Sequence, residues 1–458
     1  MSSRNVDVAV IGGGPAGYGA ALAAAGAGAS VVLAEPERLG GTCVHWSCIP
    51  TNILLAASRT SIEARELTLL GVLDGGDSLD LGRLGARRDA LTRLLAGGVA
   101  AALRGAGAEV LGGRATLEGR GRLQVEMPDG SSVDVSATSI VIAAGARWQL
   151  PELPGISSSR VLTADLVQAL DVVPASALVL GGGPADTAFA VEYAFWLASL
   201  GSAVTFLVPG PLIVPALDAD LDPAVEGLLG TFGVEVLRSG RVLGADPTKA
   251  TVAHARGEAV VGAEVVVIAD RRVPTIDGIG IGAAGVATHD GAVRVDGSGR
   301  TSVPDVLAAG DVAGGRMLTG AALRTGRAAG ITAAGGDAFA DLRVVPHVLH
   351  TIPGIGWVGA SESGARSSGA DVAVAVVDLA ANARAVATGG RDGYLKLIAD
   401  AGTGELLGVH VVGPDVAEVL GMAGLAMQAE LTVEDLAATV AWHPSVAESL
   451  IDAARQLA

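Results

Sequence analysis

The sequence predicts an α/β protein with two Rossmann-like dinucleotide-binding units and a mixed α+β C-terminal part. Three observations predict it. Two stretches read strand–glycine turn–helix–strand, at residues 6–35 and 177–208. Half of the 458 residues are hydrophobic, yet aromatics are only 3% and glycines number 66. Apolar segments built from Ala, Val and Gly suit tightly packed α/β layers rather than disorder. The length suffices for two or three domains, each with its own core.

In the first unit, the apolar run 6–11 leads into GGGPAG, an Ala-rich helical stretch and then SVVLAE. Gly12, Gly14 and Gly17 stand in G-x-G-x-x-G register, and Glu35 ends the second strand. Such glycines allow a tight turn and let backbone N–H groups approach a pyrophosphate at the helix N-terminus. The acid can accept both hydroxyls of an adenosine ribose. Residues 58–107 read as one or two long helices, with apolar spacing of three and four. RLQVEMPDGSSVDV predicts a hairpin turning at Asp129-Gly130. A strand then enters the Pro-rich segment QLPELPG, a domain boundary near Leu150. The second unit opens on ALVLGGG and closes on SAVTFLV, and TSVPDVLAAGDV forms a third Gly-rich junction. Strands around GYLKLIAD and GVHVVG precede helices from Asp415 onward.

Charge narrows the partners. Thirty-one Lys and Arg against forty-eight Asp and Glu leave a formal charge of −17, which argues against nucleic acid or an anionic membrane surface as partner. The apolar stretch 19–34 fits a buried helix and strand better than a membrane span. Asp7 interrupts the first apolar run, so no export leader is read and a cytoplasmic setting is expected. The two cysteines, Cys43 and Cys48, are too few and too close together for a secretory disulfide framework. With only His45 nearby they do not make a zinc site. A redox pair and two inert core thiols both remain open on composition.

The surrounding GGTCVHWSCIPTN, residues 40–52, resembles the active-site segment of the flavoprotein disulfide reductases (the pyridine nucleotide-disulfide oxidoreductase family, which includes dihydrolipoamide dehydrogenase, glutathione reductase and mercuric reductase). The resemblance spans essentially the whole chain. TSVPDVLAAGDV is similar to the second FAD motif, and GYLKLIADAGTGELLGVHVVGPDVAEVL with LTVEDLAATVAWHPSVAESL to the interface domain. It implies a FAD-binding domain in two parts (1–150 and 276–340), a nicotinamide-domain-like segment (151–275) and an interface, or dimerisation, domain (341–458). Cys48 would be the inner thiolate against the flavin, and Cys43 the outer sulfur that exchanges with substrate. On a regular helix these positions lie about 140° apart, at roughly 100° per residue, so the helix must be distorted there. Pro50 is compatible with an irregular start. His443 and Glu448 match the His-Pro-x-x-x-Glu dyad of acid–base and orienting acid, which in the family serves the other subunit and so implies a homodimer. Asp311 would bond the ribityl chain, with Gly41, Thr42, Asn52, Gly145 and Glu192 as further cofactor contacts. His45, Trp46 and Trp442 are candidate substrate-pocket residues.

Several positions depart from the family. GGGPADTAFAVEYAFWLASLG puts the family's Glu on Glu192 with four extra residues after Gly183, and Asp186 falls where a third glycine belongs. A carboxylate there would face a pyrophosphate. Val208 stands at the ribose-binding acid, and no Arg cluster follows to hold a 2′-phosphate. In IADRRVPTIDGIG, a family glycine is replaced by Asp270 or Arg271, depending on the gap. Asn52 replaces the Lys that pairs with Glu192 in the family, so that acid must be protonated, hydrogen-bonded or hydrated.

These features lead us to expect FAD as cofactor, no NAD(P) binding, and a small-molecule dithiol or disulfide as substrate. The favoured reading is a dithiol oxidase passing electrons to FAD and then to dioxygen or another acceptor. The alternatives are an NAD(P)H-dependent disulfide reductase, carbon–sulfur bond cleavage at the same cysteines, in line with the His of the coenzyme M-linked reductase/carboxylase branch at position 45, and a non-catalytic flavin-bound interaction protein.

Overall fold

A computed structural model describes residues 2–74, 79–151, 153–157, 160–181, 187–269, 272–389 and 393–458. The chain divides into two compact units. The first comprises residues 1–53, 82–150 and 271–342; the second comprises 54–81, 151–270 and 343–458.

In the first unit, strand β1 (Ser2–Ile11) is the hub. It pairs in parallel with β2 (Val31–Ala34) on one side and with the strand Ser132–Ile142 on the other. Glu109–Leu111 extends the sheet beyond β2, and Val306–Ala308 adds in parallel beside Ser132–Ile142. Two antiparallel strands, Arg114–Gly119 and Arg122–Glu126, complete it. Successive residues of β1 point to opposite faces, and both faces are covered. Val8 and Val10 enter one core cluster, Ala9 and Ile11 the other. That is why the strand reads as an unbroken apolar run instead of an alternating one. The hairpin expected at Asp129-Gly130 forms, with Gly130 at φ +81°.

Helix α1 (Pro15–Gly26) crosses from β1 to β2 and packs on the helix Thr319–Ala333. Small residues set how closely they approach. A Cβ added at Gly326 would sit 2.2 Å from the Ala16 carbonyl oxygen, and one at Gly330 2.2 Å from that of Ala20. The Ala and Gly abundance of this chain thus has a structural use: it lets two helix backbones touch. Two further helices, α2 (Gly41–His45) and α3 (Cys48–Leu69), follow β2. The long helical stretch expected from residue 58 therefore begins ten residues earlier and is separate from the helix Leu81–Gly105. Its apolar spacing is visible only once the chain leaves the buried cysteine segment.

The second unit holds a five-stranded parallel sheet ordered Glu235–Arg238, Ala203–Val208, Ser176–Gly181, Val265–Ala269 and Val161–Leu162. The helix Thr187–Ser199 lies on it and buries Tyr193, Phe195, Trp196 and Leu197. A second sheet of five antiparallel strands carries the helices Val416–Gln428 and Glu448–Leu457. Lys396, one of only two lysines in the chain, is 1% exposed within this unit. Its ammonium meets Asp218 at 2.8 Å, Asp220 at 2.6 Å and Glu362 at 2.8 Å. Three carboxylates match the three N–H donors of a lysine, which a planar guanidinium could not serve in this way. Beside it, His410 Nδ1 accepts the Asp218 N–H at 3.0 Å and Nε2 donates to the Ala360 carbonyl at 3.0 Å. That pair of bonds requires the neutral ring, and burial holds the His410 pKa down accordingly.

Candidate functional site

The glycine loop after β1 is shaped by contacts that exclude side chains. Gly12 has φ +100°, and a Cβ at Gly17 would lie 1.8 Å from the Gly12 carbonyl oxygen. Gly14 caps α1 and Pro15 opens it, leaving the first N–H groups of the helix for a ligand. Glu35 accepts the Gly13 N–H at 2.7 Å and the Glu37 N–H at 2.9 Å. Its remaining lone pairs can take ribose hydroxyls. A glycine cradle at a helix N-terminus with an acid at the end of the next strand fits the adenosine and pyrophosphate of FAD.

The cysteine segment is tied to that loop by backbone. Gly40 N–H donates to the Gly13 carbonyl at 2.9 Å. Gly41, at φ +52°, brings its Cα so close to Gly14 that an added Cβ would lie 2.7 Å from the Gly14 Cα. Helix α2 carries Cys43 and α3 begins at Cys48, with Trp46 and Ser47 between them. The break supplies the distortion that a five-residue spacing demands. Both cysteines are free thiols, partly buried and hydrogen-bonded to each other. Cys48 Sγ also meets Thr319 Oγ1 at 3.2 Å and Ser47 Oγ at 3.8 Å. The hydrogen bond from Cys43 is the largest of the influences that bring the Cys48 thiol down to about 6, against burial, with Thr319 and Ser47 assisting. The same bond, then burial, then the Cys48 charge push the Cys43 thiol up. The reduced pair is thus polarised: a proton on Cys43 and a thiolate on Cys48. Tyr18 on α1 faces the pair, its phenol held above the ordinary range by burial and then by the two sulfurs.

Other expected site residues take defined places. Asn52 Nδ2 donates to the Cys48 carbonyl at 2.9 Å. His45 is buried with Nε2 bonded to the Leu39 carbonyl at 2.9 Å, whereas Trp46 is exposed. Thr42 accepts the Trp46 N–H through its carbonyl at 2.9 Å, and the Gly145 carbonyl accepts from Thr275 N–H at 2.9 Å. Asp311 follows the strand Val306–Ala308, and Gly310 before it has φ +74°, where a Cβ would meet that of Ala16 at 2.6 Å.

Several residues of this neighbourhood escaped the sequence reading, Tyr18 and Ser47 among them. Thr319 carries no local signal, being one threonine at the start of an Ala/Gly-rich helix. Arg272 lies in the segment read for its nicotinamide glycine, yet its guanidinium meets Asp311 at 3.3 Å.

In the second unit, Glu192 Oε1 accepts the His350 N–H at 2.8 Å, a backbone partner that no sequence pattern announces. Gly183, Asp186, Asp270 and Arg271 lie outside the described residues. Val208 ends its strand 2% exposed. Opposite it in the ladder is Arg238, which is engaged by Asp222 and Glu226, each at 2.7 Å. His443 Nδ1 lies 3.0 Å from Glu448 Oε1, and Glu448 Oε2 accepts the Ser445 N–H at 2.9 Å. That backbone bond, and then His443, hold the Glu448 carboxyl below its usual range. The His443 side chain is 70% exposed, and Trp442 beside it 67%. The dyad therefore presents an oriented imidazole whose Nε2 faces outward. Among the described residues there is no cluster of three metal-ligating side chains, and no helix is long and apolar enough to cross a membrane.

Comparison with known proteins gives the family of the chain. The pyridine nucleotide-disulphide oxidoreductase family profile matches residues 6–326, and the family's dimerisation domain matches 345–454. Among curated proteins, a dihydrolipoyl dehydrogenase of Chlorobaculum tepidum is 35% identical over 457 residues, covering 98% of this chain and 96% of the relative. One of Bacillus subtilis is 32% identical, covering 97% of each. Among solved structures, LpdA of Mycobacterium tuberculosis superposes with a TM-score of 0.90 at 28% identity, over 100% of both chains. The HOCl-induced flavoprotein disulfide reductase RclA of Escherichia coli gives 0.85 at 27%, over 99% of this chain and 100% of that one. The chain belongs to the pyridine nucleotide-disulphide oxidoreductase family: it is a flavin-dependent oxidoreductase acting on sulfur groups, with a C-terminal dimerisation domain.

Proposed function

We propose that this family member is a FAD-dependent dithiol oxidase, working through Cys43 and Cys48 in a homodimer without NAD(P)H. One observation carries the reading. The dithiol is polarised and supplied with hydrogen-bond donors, whereas the strand end of the second crossover offers a buried Val208 beside an Arg238 already engaged by two acids.

In the oxidised enzyme Cys43 and Cys48 form a disulfide. A substrate thiolate attacks Cys43 Sγ, the sulfur–sulfur bond breaks, and Cys48 leaves as the thiolate that Thr319 and Ser47 stabilise. The second substrate thiol loses its proton to His443 of the other subunit, held in orientation by Glu448, and attacks the substrate sulfur of the mixed disulfide. Substrate departs as a disulfide, and Cys43 takes the proton from His443. Bound FAD would supply the two-electron acceptor for the dithiol, with dioxygen or another two-electron acceptor as the final oxidant. The two thiols thereby return to the disulfide. Gly12, Gly14, Gly17, Glu35 and Asp311 would hold it, with Gly41, Thr42, Asn52 and Gly145 as further contacts. Trp46 and Trp442, both exposed, are candidates to flank the substrate; His45 supports the segment through its bond to Leu39.

Similarity to dihydrolipoyl dehydrogenases favours a second reading, an NAD(P)H-dependent disulfide reductase. Anaerobic mixing separates the two. Dithiothreitol should bleach the flavin and air restore it, while NADH and NADPH leave it yellow over the same period. Rapid bleaching by either nicotinamide would overturn the oxidase reading in favour of the reductase. His443→Ala should slow bleaching by dithiothreitol about 100-fold with FAD retained, the scale of a lost acid–base group. An unchanged rate would reduce His443 to a structural part. In the reduced wild type the thiolate-to-flavin absorbance should fade as pH falls through about 6, because that is where Cys48 takes up its proton.

A further inference from the structure

Arg272 begins the strand Arg272–Pro274 and lies opposite Trp148 in its ladder, with the guanidinium 5.8 Å from the Trp148 ring centroid. Its side chain is 5% exposed. Nη1 lies 3.3 Å from Asp311, and Nη2 donates to the Met317 carbonyl at 2.8 Å. Met317 has φ +48°, a left-handed conformation that a side-chain-bearing residue holds only where its surroundings impose it. Two residues later, Thr319 opens its helix and places Oγ1 3.2 Å from Cys48 Sγ. Arg272 is thus joined to the inner sulfur by a short chain of contacts: guanidinium, Met317 carbonyl, Thr319 hydroxyl.

We propose that Arg272 is a positioning residue for the inner thiolate, clamping the left-handed Met317 so that the Thr319 hydroxyl is held against Cys48. A fork is suited to this task because its two Nη groups, held apart in one rigid plane, meet Asp311 and the Met317 carbonyl separately, a fixed spacing that the single nitrogen of an ammonium does not offer. Two routes from Arg272 to the sulfur exist, and their sizes differ. The direct field is largely cancelled by the Asp311 carboxylate on the same guanidinium, whereas the Thr319 hydroxyl touches the sulfur. The indirect route dominates. The groups facing Cys48 are Cys43 on α2, Ser47 at the break, Tyr18 on α1, Thr319 and, more weakly, Arg272. Of these, Thr319 is the one whose place Arg272 controls. The inference rests on Cys48 being the inner thiolate, and holds whether electrons enter from a dithiol or from a nicotinamide.

The test uses FAD-loaded protein carrying Cys43→Ser, so that Cys48 titrates without its partner sulfur, and reads the pH midpoint of the thiolate-to-flavin absorbance. Arg272→Met should raise the midpoint by about one pH unit, a roughly tenfold loss of thiolate at a given acidic pH. Thr319→Val should do about the same. The double variant should shift no further than Thr319→Val alone, because both changes remove one contact. An unmoved midpoint in Arg272→Met, or additive shifts in the double variant, would overturn the positioning role. Should Arg272→Met not fold, Arg272→Lys decides: a shift of about half a unit supports the fork and an unmoved midpoint overturns it. If the Cys43→Ser parent shows no pH-dependent band, the assignment of Cys48 as inner thiolate fails first, separately from the part played by Arg272.

Discussion

The two glycine crossovers of this chain share a topology and differ at their strand ends. In the first, β1, α1 and β2 converge on a loop where Gly17 allows no side chain and Glu35 is oriented by two backbone N–H groups. In the second, the strand Ala203–Val208 ends in an apolar residue, and the nearest cation in the ladder, Arg238, is bound by Asp222 and Glu226. A parallel strand–helix–strand unit provides a crevice; the side chain at the end of the second strand decides whether it can hold a ribose. The first unit keeps an acid there and the second does not.

That contrast can be broken or sharpened by substitution. The largest effect is expected from Gly17→Ala, whose new Cβ would fall 1.8 Å from the backbone oxygen of Gly12. Backbone cannot yield as a side chain can, so FAD affinity should fall by about 100-fold or more, on the order of 3 kcal/mol. The flavin-to-protein ratio after purification, followed by titration with FAD, measures this; near-stoichiometric flavin would mean that the loop is not the FAD cradle. Next is Glu35→Gln, which keeps an acceptor but loses the charge. FAD binding should weaken roughly tenfold, the difference between a charge-assisted and a neutral hydrogen bond. No change in titrated affinity would remove Glu35 from the site. The smallest effect is expected from Val208→Glu. Arg238 lies opposite in the ladder and would pair with a new carboxylate, so NADH-driven bleaching should change by less than about threefold. A tenfold gain would show that Val208 alone separates the two crossovers.

Much of the architecture was legible because it is local. The run from Val6 to Ile11, the glycine register and Glu35 sit within one crossover, and the physical reasons for each residue type act over a few positions. Once the resemblance paired Cys43 with Cys48, helix geometry required a break between them, since sulfurs five residues apart on a regular helix cannot meet. His443 and Glu448 were found through the resemblance to the family's His-Pro-x-x-x-Glu pattern, and the structure brings them to 3.0 Å. The start of α3 was missed because residues 48–57 open on a cysteine and Pro50 and carry no amphipathic period; most of their side chains are buried or half-buried.

What the sequence determined by itself, then, is the set of short-range devices: two crossovers, one cysteine pair, one His–Glu dyad, and a second strand end without its acid. What only the tertiary structure decided is which distant groups complete them. Thr319 reaches Cys48 across 271 positions of chain because glycines at 326 and 330 let its helix press onto α1. Arg272 turns toward Asp311 and Met317, and Arg238 comes to lie beside Val208. Periodicity and motif spacing encode neighbours along the chain, but these contacts depend on how closely two backbones can approach, and that is settled only when the whole layer packs.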